Sequence, residues 1–171
     1  MDNYIKTRDW LRLSLSDLEI AMSLLNEEKL PAAVFHLQQS VEKGAKALLS
    51  FLGIEVKYTH FPAREIIENQ ILRNPEMVQK LFLDEKNLSL LTQLVQSAAL
   101  LEMEETKPRY GEEVEDRIIL PVEIYTSEKV RILFESGVNF WRTGIQFLRK
   151  FEINQINKIL EEIDVQIGKF K

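Results

Sequence analysis

The residues best able to do chemistry in this chain are few and mostly close together. Positions 35–53 read FHLQQSVEKGAKALLSFLG, which sets His36, Gln39, Lys43, Lys46 and Ser50 on one side of a helix. At about 100° per residue, Ala33, Val34, Leu37, Val41, Ala45, Leu48, Leu49 and Leu52 take the other, apolar side. Lys43 and Lys46 stand within one turn and could meet a phosphate, which Arg109 could also grip in bidentate fashion. Tyr110 beside it could stack on a base, while His36 and Gln39 supply hydrogen bonds. The competing account is ordinary surface ion pairing, such as Glu42 with Lys46 at i, i+4. Gln38 intrudes on the apolar side and needs hydrogen-bond partners if buried.

Other chemistry is scarce. There is no cysteine, which removes disulfides, thiolate nucleophiles and Cys-ligated zinc. His36 and His60 are the whole imidazole inventory, so one chain cannot build a histidine-rich metal site. His60, ahead of Phe61-Pro62, reads as a loop-capping residue rather than a ligand. The acidic residues Glu102, Glu104, Glu105, Glu112, Glu113, Glu115 and Asp116 carry oxygens suited to Mg²⁺, but a solvated acidic loop is the expectation and no metal site is predicted. A Walker loop and a dinucleotide glycine motif are both absent. With 6 glycines in 171 residues, there is little backbone to cradle phosphates.

A chain of 171 residues suits a single domain with a proper core. Its net charge of −5 argues against duplex nucleic acid, where cationic neutralisation of phosphates dominates affinity. The N-terminal MDNYIKTRDW has no apolar h-region, and no run approaches the roughly 18 apolar residues of a membrane span. A soluble, cytoplasmic protein without membrane contact is the expectation.

These side chains must be positioned by helices. Apolar residues at three- and four-residue steps predict helices over 4–26 and 31–52, the second opening on Pro31 and stopped by Gly53. The short link between them implies an antiparallel hairpin. Shorter helices follow at 63–72 and 76–83, separated by Asn74-Pro75, then one at 87–101. Residues 103–121 read as a polar loop. A long helix starts near 126 with Val130, Leu133, Phe134, Val138, Trp141, Ile145 and Leu148 on its stripe. Trp10 and Trp141 both read as core. No stretch alternates like a strand, so the class is all-α: an up-and-down bundle of four to five helices over 1–151, with an amphipathic C-terminal extension helix over 152–171. In the extension Ile153, Ile156, Leu160, Ile163, Ile167 and Phe170 form a narrow seam, out of phase with Phe147 and Phe151, which predicts a bend at 152–154. The seam either folds back on its own bundle or meets another chain.

The spacing Phe35-His36-x-Gln38-Gln39-x-x-Glu42-Lys43-x-x-Lys46-Ala47, with Gly53 after it, resembles the signature of the HEPN family. The KYTH segment ending at His60 resembles that family's next landmark. Lys107-Pro108-Arg109-Tyr110 resembles its Arg-Tyr segment, with Gly111 where a proline is common. The resemblance covers roughly residues 4–150. It implies a helical bundle, usually a homodimer, often paired with a small nucleotidyltransferase domain or protein, and nucleotide binding. One branch of the family cleaves RNA through an Arg-x(4–6)-His motif on a late helix. Here no histidine follows His60, and Arg142 and Arg149 have no imidazole beside them in sequence. The group that would titrate near neutral pH is missing there. The resemblance therefore implies the non-ribonuclease branch: a non-catalytic module binding a phosphorylated ligand or an ATP-like nucleotide, with or without Mg²⁺. The ligand-binding residues would be His36, Gln39, Lys43, Lys46, Arg109 and Tyr110, and the partner a minimal nucleotidyltransferase protein. The rival is a structural, toxin–antitoxin-type interaction subunit with no small ligand.

Overall fold

Periodic apolar residues build two long helices, α1 (Asn3–Asn26) and α2 (Leu30–Phe51), in a computed structural model that describes residues 3–56 and 58–170. The two are antiparallel: Tyr4 meets the ring of Phe51, and Ser14 meets Ser40. Pro31 lies in the first turn of α2, and Gly53, at φ 73, follows its end. Lys57 of the KYTH landmark lies outside the described residues.

The segment 63–72 forms a helix as expected, but a wider one. It is a π-helix over Ala63–Leu72, closed by a five-residue bond from Arg73 N–H to Glu68 O. Then come α3 (Pro75–Lys80) and α4 (Glu85–Glu102), capped by Asn74 and Asp84, whose side chains accept from backbone N–H groups. The helix expected at 76–83 stops at Lys80, because Phe82 has φ 52 and leaves the helical region.

Residues 103–121 are not the structureless loop their polarity suggests. They fold into α5 (Lys107–Tyr110), a two-stranded antiparallel ribbon of β1 (Glu112–Val114) and β2 (Arg117–Ile119), and then α6 (Pro121–Ile124). Glu115, at φ 53, makes the two-residue turn between the strands. Three-residue strands are too short for alternation to be read in advance. Gly111 must stay glycine, since at φ 78 a Cβ would strike the Ile119 carbonyl.

The helix α7 (Ser127–Arg149), capped by Thr126, crosses back over α2 and α4. The predicted bend is present, with Glu152 at φ 50 between α7 and α8 (Asn154–Ile167). In this chain α8 packs on α1 and α7, and Ile156, Leu160, Ile163 and Ile167 join the one core cluster. Arg149 reaches Asp164 across the bend at 3.3 Å. Among the described residues no helix is long and apolar enough to cross a membrane.

Helices α2 and α7 approach through reciprocal notches. A methyl at Gly44 of α2 would lie 2.6 Å from Trp141 Cζ2, and one at Gly137 of α7 would lie 2.7 Å from Leu37 Cδ1. Each helix inserts a large side chain where the other has none. Gly44→Ala should therefore cost about 1–3 kcal/mol of stability by overpacking. Gly144→Ala, whose methyl would meet nothing nearer than 3.7 Å, should instead gain up to about 1 kcal/mol from helix propensity. Urea unfolding of the two variants gives opposite signs if the notch is the constraint.

Candidate functional site

The polar side of α2 is not solvated. Helix α1 carries Ser14 and Asp17 on its mostly apolar buried stripe, and both face α2. Asp17 pairs with His36, Oδ1 to Nδ1 at 3.0 Å, and with the ammonium of Lys43 through its other oxygen. One turn further, the buried carboxylate of Glu42 accepts from Lys46 Nζ at 2.6 Å, His60 at 3.3 Å and Gln39 Nε2 at 3.4 Å. The side chains of Lys46 and Glu42 are only 12% and 8% exposed, so this i, i+4 pair is not a surface one. Ser50, expected on the polar side, is buried. Trp10, expected in the core, is half-buried, with Lys46 Nζ 5.3 Å above its ring.

Beside Glu42 opens a cleft of about 130 Å³. One wall is a turn of α2 bearing Phe35, Gln38, Gln39 and Glu42. The second is His60 and Phe61, leading into the π-helix. The third is Glu105, Thr106 and Arg109 at the start of α5. Gln38 fixes the third wall: its amide donates to Leu101 O and Glu105 O, both at 3.0 Å, which supplies the partners that a glutamine on an apolar face requires. The Arg109 guanidinium carbon lies 5.0 Å from the ring centres of both Phe35 and Tyr110. Among the described residues it has no carboxylate within ion-pair distance. Arg64 covers the Phe61 ring in the same way, at 5.0 Å.

The structure thus divides the six residues singled out by sequence. Gln39 and Arg109 line the cleft, and Tyr110 lies against Arg109 with its ring exposed. His36 and Lys43 gather instead on Asp17, and Lys46 on Glu42. Sequence reasoning paired Glu42 with Lys46, as found, and read Phe35 only as part of the family pattern and Glu105 only as part of a solvated acidic loop, while Asp17, Phe61 and Thr106 were given no role. The available signal for Asp17 was a carboxylate three residues from Ser14 and next to Leu18 on a stripe made mostly of leucine, alanine and methionine. Among the described residues no three histidine, aspartate or glutamate side chains cluster to hold a metal ion.

A profile of the HEPN domain family matches residues 7–142, from the first turns of α1 to the middle of α7. The chain belongs to the HEPN domain family. It is also 28% identical over 148 residues to "Putative toxin MJ1304" of Methanocaldococcus jannaschii, an alignment covering 86% of this chain and 91% of that protein. No solved structure matches the chain. The HEPN signature residues of α2 accordingly have two destinations here, the Asp17 and Glu42 clusters and the rim of the cleft.

Not all of the acidic segment is solvated, as its polarity suggested. Glu102 is buried, and its carboxylate accepts from Ala63 N–H at 2.9 Å and Arg64 N–H at 3.2 Å. It caps the π-helix from a different element, where Pro62 offers no side-chain cap. Glu104 accepts from Tyr125 OH at 2.7 Å and Lys129 Nζ at 2.8 Å. Burial pushes the Glu102 carboxyl up to about 7, a rise that the two backbone donors and the nearby Arg64 only partly oppose. Folding therefore binds a proton here. The stabilisation is complete below the ordinary value of 4.5 and is lost as pH rises through about 7. From this group alone, unfolding free energy should fall by roughly 3 kcal/mol between those limits. Urea unfolding at pH 5 and pH 8 should show that drop in the wild type and a much smaller one in Glu102→Gln. Equal drops would remove Glu102 as its source.

Proposed function

We propose that this HEPN chain is a non-catalytic binding subunit of a two-protein system of the toxin–antitoxin kind, and that the cleft under Arg109 holds a nucleotide by its base. The carrying observation is Arg109. It lines the cleft and lies against two aromatic rings, and among the described residues no carboxylate is within ion-pair distance of it, while Lys43 and Lys46 are engaged by Asp17 and Glu42.

The cleft's size and lining favour one end of the ligand over the other. Its volume of about 130 Å³ is below the roughly 300 Å³ at which sites enclosing a drug-sized ligand begin. Glu42 and Glu105 in the walls repel a phosphate but can accept from the exocyclic amine of a base. Phe35, Phe61 and Arg109 supply the planar surfaces on which bases stack. The phosphates of an ATP-like nucleotide, free or with Mg²⁺, then lie outside in solvent. A non-catalytic role is supported by the sequence of α7, in which Arg142 and Arg149 have no histidine beside them, since none follows His60. The name of the archaeal relative supports the toxin–antitoxin setting, with a minimal nucleotidyltransferase as partner and a homodimer as the working form.

A thermal-shift screen tests the ligand. Adenosine and ATP near a hundred times their dissociation constants should each stabilise the protein by about 2.7 kcal/mol, whereas pyrophosphate should do nothing. Arg109→Ala should abolish the shift without loss of helicity. Lys43→Ala should lower the melting temperature yet leave nucleoside affinity intact, because its ammonium serves Asp17. A response to pyrophosphate alone would move the ligand's phosphates into the site, and a flat screen at millimolar concentration would overturn nucleotide binding.

A further inference from the structure

The negative charge of this chain is concentrated in one segment. From Glu102 to Glu128 nine carboxylates face three cations, an excess larger than the net −5 of the whole chain. Both roots of that segment, Glu104 and Thr126, line a groove of about 320 Å³ between the end of α4 and the start of α7. The two helices run antiparallel there, since Lys150 at the far end of α7 bonds Asn87 at the start of α4. Leu100 and Met103 from α4 and Ile132 from α7 form the groove's sides, and they are 44%, 61% and 47% exposed. The buried Leu133 backs it. Single exposed apolar residues are ordinary, but three large ones around one groove mark a docking surface.

The charge decides what docks. Glu128 lines the groove and, among the described residues, has no cation within ion-pair distance, whereas Glu104 is already occupied by Lys129 and Tyr125. A second copy of the chain, meeting the groove across a two-fold axis, would bring the same acidic segment against itself, and like charges so placed cost several kcal/mol. The occupant must therefore be cationic as well as apolar. Two antiparallel helices with apolar residues at i, i+3 on one of them offer the seat that a third helix takes with its apolar face. Met103, unbranched and polarizable, adapts to such a partner.

We propose that the α4–α7 groove docks an amphipathic helix of another protein, with leucine-type side chains against Leu100, Met103 and Ile132 and its lysines or arginines against Glu128 and the acidic segment. The groove shares no lining residue with the nucleotide cleft, so this inference stands or falls separately from the ligand proposed above.

The test uses two fluorescein-labelled helical peptides of roughly 18 residues. Both carry leucine at i, i+4, i+7 and i+11, one with lysine and the other with glutamate on the remaining faces. Fluorescence anisotropy against the full chain should show saturable binding of the lysine peptide only. Met103→Ser with Ile132→Ser should weaken it about ten-fold while leaving the adenosine shift intact. Glu128→Gln or added salt should weaken it several-fold. The proposal is overturned if both peptides bind alike, if neither binds, or if the double serine variant binds as the wild type does. It is equally overturned if light scattering finds a dimer that the double variant dissolves, which would give the groove to a second copy.

Discussion

The contact between α2 and α7 is the constraint on which the rest of the structure depends. It has a steric part, in which Trp141 fills the space above Gly44 and Leu37 the space above Gly137. It also has a polar part. Trp141 Nε1 donates to Ser40 Oγ at 3.1 Å, Ser40 Oγ lies 3.0 Å from Ser14 Oγ, and Ser14 donates to Ser40 O at 2.7 Å. Three helices are tied at one serine in the middle of the core. Leaving any of these buried groups unpaired would cost about 1–3 kcal/mol, so the rotation of α2 about its own axis has little freedom. That rotation turns His36 and Lys43 toward α1, and Glu42 with Gln39 toward the cleft.

Once α2 is so oriented, its charges must be compensated, because both flanks are covered. Asp17 and Glu42 do this, each meeting one lysine and one histidine. The His36, Lys43 and Lys46 pairs are poorly exposed and contribute little net stability, yet removing one partner strands the other in a low-dielectric setting. Family signature residues that look like a ligand site are here largely a device for keeping polar groups satisfied between helices. Arg109 differs in kind. It reaches the cleft from α5, which follows α4, and rests on aromatic rings rather than on a carboxylate.

The sequence made legible whatever depends on one helix at a time. The stripes of α1, α2, α4 and α7, the stop at Gly53, the bend near Glu152 and the partners demanded by Gln38 all follow from spacing of 3.6 residues or from a single side chain's hydrogen-bonding capacity. What depends on how two elements rotate against each other stayed hidden. Nothing in periodicity places Asp17 opposite Lys43, or shows that Glu102 leaves water to cap the π-helix. The β1–β2 ribbon was missed for a different reason, since its strands are shorter than two periods of alternation. Cleft residues were accordingly recovered only where the family pattern already named them, as with Gln39 and Arg109.

The Trp141–Ser40 bond also bears on how the chain assembles, because it joins residues 101 apart, whereas the Ser14–Ser40 bond spans 26. The entropy of closing a flexible loop grows as the logarithm of its length, about 4 kcal/mol for the first against about 3 for the second, apart from a shared constant. The α1–α2 hairpin can thus close on local contacts alone. Until α7 returns, however, it holds an open notch at Gly44 and a serine hydroxyl short of one donor. A nascent chain on which only the first two helices have emerged carries that unfinished seam as a sticky surface, and the residue that seals it lies 101 positions beyond Ser40.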